Sequence, residues 1–140
     1  MLFSAKADYA CVAMLEMAAR HGDPKPLRLA EIAEKHGIPQ PFLVQILLQL
    51  KGAGLVVSTR GAAGGYALAK PPEEISLFDV VTVIDHQETG SRQKPSLQPT
   101  LHVQNIRSVW DRIQQAQTSI LKQMTLADLD DQSQALQYVI

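Results

Sequence analysis

Apolar residues recur every three or four positions along the first part of the chain, which is the spacing of an amphipathic helix. Residues 3–20 are predicted to form this first helix. Its apolar face holds Tyr9, Val12, Ala13 and Met17. A glycine and two prolines follow within residues 22–26, and these residue types end helices.

A second and a third helix are predicted with a tight turn between them. Leu29–His36 has helical spacing, and Gly37 follows at a position where glycine readily takes a left-handed backbone conformation. Either Pro39 or Pro41 begins the third helix, since proline is tolerated in a first helical turn. The predicted buried stripe of this helix is Phe42, Leu43, Ile46, Leu47 and Leu50. The pattern is typical of a helix-turn-helix unit.

Two short runs of strand-forming residues come next, at 55–58 and 66–69. The segment between them contains Gly61, Gly64 and Gly65, as expected for a hairpin tip. A hairpin directly after a helix-turn-helix predicts a wing, and the two elements together suit duplex DNA. Ser76 and Asp79 resemble a capping box before an apolar helix at residues 77–84.

A long helix closes the pattern after a polar linker. The linker spans residues 86–100, and the helix spans residues 101–124. The apolar positions of the helix are Ile106, Val109, Trp110, Ile113, Ala116, Ile120, Leu121 and Met124. Such a helix has little of its own chain to pack on, so we expect a homodimer through it, with Trp110 as an anchor. Residues 125–128 resemble a second capping box and predict a short terminal helix.

The predicted fold class is mainly α, a winged helix-turn-helix with a two-stranded wing and a long C-terminal dimerisation helix. The predicted organisation is a DNA-binding domain at 1–85, a linker at 86–100, and a dimerisation helix with a tail at 101–140. Charge agrees with this division: residues 1–70 carry a balance of +3, and residues 71–140 carry −4. A slightly basic first half suits nucleic acid.

Composition narrows the class of protein further. The hydrophobic fraction of 46% is ordinary for a globular protein, and no run is apolar enough to span a bilayer, so we expect a cytoplasmic protein without a membrane partner. The first residues read as a helix, because Asp8 and Glu16 flank their apolar part. No phosphate loop, nucleophile elbow or metalloprotease pair is present, so we expect no enzyme activity.

Metal and thiol chemistry have little support in the sequence. Cys11 is the only cysteine, and its place beside the apolar face of the first helix favours an inert thiol over a redox sensor. Four groups near the linker match no established metal-binding spacing. They are Asp85, His86, Glu88 and His102. We therefore predict no cofactor and no metal.

Taken together, these motifs resemble the Rrf2 family of bacterial winged-helix regulators. The wing carries the most specific part of the resemblance, with Arg60-Gly61 and residues 64–66. Further matches are Tyr9-Ala10, Ile32-Ala33, residues 42–45, residues 75–85 and residues 125–129. The resemblance implies a dimer, crossed through the long C-terminal helices, that binds a partly palindromic operator.

The linker departs from the pattern of the family. Its cluster-binding members carry three cysteines there, whereas residues 86–100 contain none. A thiolate-ligated iron–sulfur cluster of the usual kind therefore cannot be assembled. The chain resembles relatives without these cysteines, which respond to a protein partner or to another signal such as a small molecule.

Candidate DNA-binding residues follow from the helix-turn-helix and the wing. Gln40, Pro41, Phe42 and Gln45 lie at the start of the third helix, where a glutamine side chain can bind adenine through two hydrogen bonds. Val44 is a candidate for contact with a thymine methyl group. Arg60 beside Gly61 can enter a minor groove or bind a phosphate. Candidate phosphate ligands are Ser4, Lys6, Arg28, Ser58 and Thr59.

Two other interpretations remain open at this point. The isoelectric point near 6.4 is low for a nonspecific DNA-binding protein, so the winged helix could regulate a partner protein without binding DNA. Alternatively, the chain could be a regulator that senses iron or redox state through unusual ligands. The preferred interpretation is a sequence-specific, homodimeric transcription regulator.

Overall fold

The computed structural model describes residues 3–89 and 95–130 of the chain. Within these ranges the chain forms five α-helices of eight residues or more, a further helical stretch at residues 126–130, one short 3-10 turn and one antiparallel two-stranded sheet. The elements are α1 (Ala5–Ala19), α2 (Leu29–His36), α3 (Gln40–Gly52), β1 (Val56–Thr59), β2 (Gly65–Leu68), the 3-10 turn (Pro72–Glu74), α4 (Leu77–Thr89) and α5 (Leu101–Gln123). The predicted mainly α, winged helix-turn-helix fold is confirmed.

Helix α1 is the centre of the core. Ser4 caps its N-terminus by accepting a hydrogen bond from the Ala7 amide at 3.0 Å, so the helix begins two residues later than predicted. Small side chains on its inner face let α3 and α4 approach closely. The fully buried residues of that face are Ala7, Ala10, Ala13, Met14 and Met17.

The turn between α2 and α3 has the backbone that its glycine predicts. Gly37 has a φ of 68°, in the left-handed region, and the Ile38 amide bonds to the Ala33 carbonyl at 3.0 Å. Pro39 is the N-cap residue of α3, and Pro41 lies in its first turn. Glu16 of α1, which is buried, forms an ion pair with the Lys35 ammonium and thereby fixes α2 against α1.

The prediction of the buried stripe of α3 is wrong at one residue. Leu43, Ile46, Leu47 and Leu50 are buried, but Phe42 is 52% exposed. At 100° per residue, Phe42 lies at the edge of the buried arc rather than at its centre. Its ring meets Tyr9 at a centroid distance of 6.4 Å and otherwise faces outward.

The wing is a two-stranded hairpin with one isolated backbone bridge beside it. Val56 pairs with Leu68 and Thr59 with Gly65, so both strands are shifted by one residue from the predicted runs. Leu27, just before α2, bridges Tyr66 through two backbone hydrogen bonds of 2.9 and 2.8 Å. The wing is therefore attached to both flanks of the helix-turn-helix.

Helix α4 is longer than predicted, because it continues from the predicted end at Ile84 to Thr89. The start of the predicted linker, residues 86–89, is therefore helical. The rest of the linker before residue 95, and the tail at 131–140, lie outside the described residues. The predicted capping box is present: the Asp79 amide bonds to Ser76 Oγ at 3.2 Å, and the Ser76 amide bonds to the Asp79 carboxylate at 3.0 Å.

The chain returns to the winged-helix core after α5. Ser76 and Thr125 form an antiparallel bridge, in which the Leu77 amide bonds to the Met124 carbonyl at 2.9 Å. The second predicted capping box, between Thr125 and Asp128, is also formed, and residues 126–130 are helical. Leu126 is completely buried in the same core as α1 and α3. The C-terminal segment is thus part of the packing of the winged-helix core.

Helix α5 has no buried residue, although one of its faces is apolar. Thr100 caps its N-terminus by accepting a hydrogen bond from the Val103 amide. The exposed apolar residues of the helix are Leu101, Ile106, Val109, Trp110, Ile113 and Ile120. None of the helices in the described ranges is both long and apolar enough to cross a membrane.

Candidate nucleic-acid interface

The first turns of α3 present a solvent-exposed surface. Gln40, Pro41 and Gln45 are all exposed, as the sequence predicts for residues that contact bases. The opposite face of the helix is anchored in the core by Leu43 and Leu47. A rigidly held helix with a free N-terminal face is the geometry with which helix-turn-helix proteins enter a major groove.

Arg60 lies at the start of the hairpin tip and is exposed. Within the described part of the chain, no acidic side chain forms an ion pair with it. Gly61, beside it, has a φ of 108°, a backbone conformation that residues other than glycine rarely adopt. The tip therefore holds an unpaired guanidinium on a backbone that only glycine permits.

The other two glycines of the wing are required by close approach rather than by φ. A Cβ at Gly64 would lie 2.1 Å from the Thr59 carbonyl oxygen, and a Cβ at Gly65 would lie 2.6 Å from the Leu27 carbonyl oxygen. Both contacts are far inside van der Waals distance. Gly64 is thus required by the tight turn of the hairpin tip, and Gly65 by the close approach of the hairpin to Leu27.

Arg28 has a structural contact that the sequence did not suggest. This residue is the N-cap of α2, and its Nη2 donates a hydrogen bond to the Ala62 carbonyl oxygen in the hairpin tip. The bond joins the helix-turn-helix to the tip that carries Arg60. Arg28 therefore positions the wing, and its remaining N–H groups are available for a phosphate.

The base of the wing is fixed to the end of α3. The Leu55 amide bonds to the Leu50 carbonyl, and the Ala69 amide bonds to the Leu55 carbonyl, both at 3.0 Å. With the Leu27 bridge and the Arg28 contact, the hairpin is connected to α2 and α3 at both ends. The position of the wing tip relative to α3 is therefore set by backbone hydrogen bonds together with the side-chain contact of Arg28.

The predicted phosphate ligands differ in their exposure to solvent and in the internal hydrogen bonds that they already make. Ser4 Oγ donates to Asp85 Oδ1 at 2.6 Å while accepting from Ala7, so its hydroxyl already joins α1 to α4. Thr59 is exposed, whereas Lys6 and Ser58 are half-buried. Of this group, Thr59 is best placed to meet a ligand without breaking an internal bond.

Two further residues of α3 share the outward face. Val44 and Leu48 are 43% and 58% exposed. Leu48 was not among the site residues predicted from sequence, because it reads as one more apolar residue of a core helix. Leu48 follows Val44 by four residues and therefore lies on the same side of the helix, away from Leu43 and Leu47. This spacing could have identified Leu48 from the sequence.

The thiol of Cys11 is held in its neutral form. Burial raises the pKa of Cys11 to about 11 from an ordinary value of 9.0, and the carboxylates of Asp8 and Asp85 add to the effect. A thiol in this state is a poor nucleophile and a poor metal ligand. The environment of Cys11 agrees with the inert role predicted for it.

The residues present do not fit a thiolate-bound iron–sulfur cluster. The chain has one cysteine, and residues 86–100 have none. In the described part of the chain, no group of three His, Cys, Asp or Glu side chains is close enough to hold a metal ion. The side chains of His86 and Glu88, two of the groups considered from sequence, lie outside that part.

Comparison with known proteins agrees with this geometry. Residues 3–132 match the Rrf2 family model, described as "Iron-dependent Transcriptional regulator". The HTH-type transcriptional regulator CymR of Bacillus subtilis is 32% identical over 129 residues, covering 92% of this chain and 89% of CymR.

Solved structures of the family superimpose over nearly the whole chain. IscR of T. potens has a TM-score of 0.79 at 34% identity, covering 95% of this chain and 88% of its own. The B. subtilis CymR structure, titled as that of the global cysteine regulator, has a TM-score of 0.79 at 32% identity, covering 94% and 97%. These relatives are regulators, not enzymes. The chain belongs to the Rrf2 family of HTH-type transcriptional regulators.

Proposed function

We propose that this regulator acts in the cytoplasm as a homodimer on a partly palindromic operator, with one helix-turn-helix in each half-site. Helix α3 lies in the major groove, where Gln40, Pro41 and Gln45 face the bases and Phe42 borders them. The wing lies along the adjacent minor groove. The observation that carries this proposal is the exposed start of α3 connected by backbone hydrogen bonds to a tip with an unpaired Arg60.

The dimer is supported by the apolar face of α5. Ile106, Val109, Trp110 and Ile113 recur at helical spacing, and each is 44–59% exposed. Contiguous apolar surface of this kind is uncommon on a monomer, and a second copy of the same helix covers it economically. Two copies also supply the two helix-turn-helix units that bind the two half-sites of a palindromic site.

Phosphate contacts position the dimer on the duplex. The wing and its surroundings provide one group of these contacts, namely Arg60, Gly61, Thr59 and Arg28. The start of α1 provides a second group, Ser4 and Lys6. Ser58 contributes from the same strand as Thr59. Contacts of this type set affinity and its salt dependence, whereas the side chains of α3 select the sequence.

Control of the regulator does not use a cluster bound by linker cysteines, because those cysteines are absent. We infer that the signal is a regulatory protein or a small molecule. The comparisons give no support to a winged-helix module that binds a partner protein instead of DNA.

The test is selection of bound sequences from a random duplex pool, with the wild-type protein and with Arg60→Ala. The wild type is expected to recover a two-fold symmetric site. Arg60→Ala should bind that site at least about tenfold more weakly and lose about one unit of salt slope per half-site, since one phosphate-binding charge is removed. Unchanged affinity in Arg60→Ala would contradict the role given to the wing, and recovery of no sequence would contradict the operator.

A further inference from the structure

The outward face of α3 is unusually apolar for a surface that reads DNA. At 100° per residue, Pro41, Val44, Gln45 and Leu48 lie within about a third of the helical circumference, opposite the buried stripe. Gln45 is the only one of these four with a hydrogen-bonding side chain. Lys51, in the last turn, is the only charged residue of the helix.

The packing of residues 3–89 and 95–130 does not explain the exposure of Val44 and Leu48. They are 43% and 58% exposed, while Leu43 and Leu47 beside them are completely buried. The core is therefore complete without them. Two large apolar side chains on the surface that meets the ligand indicate that the ligand offers apolar groups at matching places.

In a duplex, the major groove offers one such group. Thymine carries a C5-methyl, whereas the edges of the other bases there present only donors and acceptors. Resting on the operator binding proposed above, we propose that Val44 and Leu48 are specificity-determining residues that contact thymine methyl groups. The operator half-site is thereby read largely by apolar contact, with Gln45 supplying hydrogen bonds.

Helix geometry gives the proposal a spatial prediction. Residues four apart in an α-helix rise about 6 Å along its axis. Base pairs are spaced about 3.4 Å apart. The thymines read by Val44 and Leu48 are therefore within about two base-pair steps of each other in one half-site.

The experiment replaces each thymine of the selected operator, one at a time, by deoxyuridine, which removes only the methyl group. Binding of these duplexes is measured for the wild type, Val44→Ala and Leu48→Ala. The wild type is expected to lose about fourfold in affinity at each contacted thymine, the value of one methyl-sized apolar group. Val44→Ala should bind thymine and uracil equally at one position, and Leu48→Ala should do so at another.

Val57→Ala is the matched control, since Val57 is a similarly exposed valine, on β1 rather than on α3. Its affinity can change, but its preference for thymine over uracil should match the wild type at every position. Operator binding without methyl preference, or a preference that Val44→Ala and Leu48→Ala leave unchanged, overturns the inference while the proposed function stands. Failure of the wild type to bind any duplex overturns both.

Discussion

At the scale of single residues, the shape of the wing depends on glycines that act in different ways. Gly61 supplies a backbone conformation with φ of 108°, whereas Gly65 supplies space, because Leu27 runs directly beside it. The bridge between Leu27 and Tyr66 exists only while position 65 has no side chain. A substitution there separates the wing from Leu27, the residue that pairs with it just before α2.

Gly65→Ala should lower the free energy of unfolding by about 1–3 kcal/mol, because its Cβ would force the bridge apart. Gly52→Ala is the matched control: no atom lies within 4 Å of its Cβ and its φ is not positive. That control should be neutral or stabilising by up to about 1 kcal/mol. Urea denaturation of both variants checks the difference, and equal effects would contradict the steric explanation.

Cys11 gives a prediction for alkaline pH. Its folded pKa of about 11 lies above the ordinary value of 9.0, so the folded state favours the neutral thiol. The corresponding stability is fully present below about pH 9 and is lost as pH rises through about 11. The wild type should therefore lose stability relative to Cys11→Ala between neutral pH and about pH 10.5. Urea midpoints at both pH values measure this, and a constant difference would count against the shifted pKa.

At the scale of elements, local signals predicted more than long-range contacts did. The turn at Gly37 and both capping boxes are encoded within four or five residues, and all three are confirmed. The prediction that Phe42 is buried was wrong. Periodicity identifies the side of a helix that is buried, but it does not show where the buried surface ends. The contact of Arg28 with Ala62 joins residues 34 apart, which no local pattern encodes.

The helical stretch after α5, at residues 126–130, packs on the core, and the sequence did not predict this contact. Leu126 is fully buried among residues of α1 and α3, although 101–140 was predicted as a separate dimerisation region. The backbone bridge from Ser76 to Thr125 holds it there. Whether the predicted domain boundaries describe independent units stays a prediction.

Leu126→Ala should reduce the free energy of unfolding by about 2–5 kcal/mol, the cost of a cavity in a packed core. Leu48→Ala removes the same atoms from an exposed site on α3 and should change stability by less than about 0.5 kcal/mol. Thermal or urea unfolding compares the two. A small effect of Leu126→Ala would mean that the segment after α5 is not part of the cooperative core.

At the scale of the whole molecule, the two faces of α5 have different environments. One side meets α4, where the Lys122 ammonium lies 4.7 Å from the ring centroid of Phe78. On the apolar side, Ile113 and Trp110 are 49% and 59% exposed. The proposed dimer covers that side and thereby sets the distance between the two α3 helices.

Ile113→Asp should convert the dimer to a monomer, since it places a charge in the middle of the apolar face. Gln115→Asp adds the same charge two residues away, about 180° from the centre of that face, and should remain dimeric. Sedimentation equilibrium measures the oligomeric state of both. A monomeric wild type, or a dimeric Ile113→Asp, would contradict the interface.

The burial of Leu126 also has a consequence for biosynthesis. Leu126 follows the helix-turn-helix and the wing in the chain, so a ribosome has made both of them before the core around them is complete. A product that ends before Leu126 lacks a fully buried side chain of this core, and we expect it to be less stable than the longer chain. A less stable product is unfolded for more of the time and is then open to proteolysis, so folding of the core around the helix-turn-helix depends on synthesis of the segment after α5.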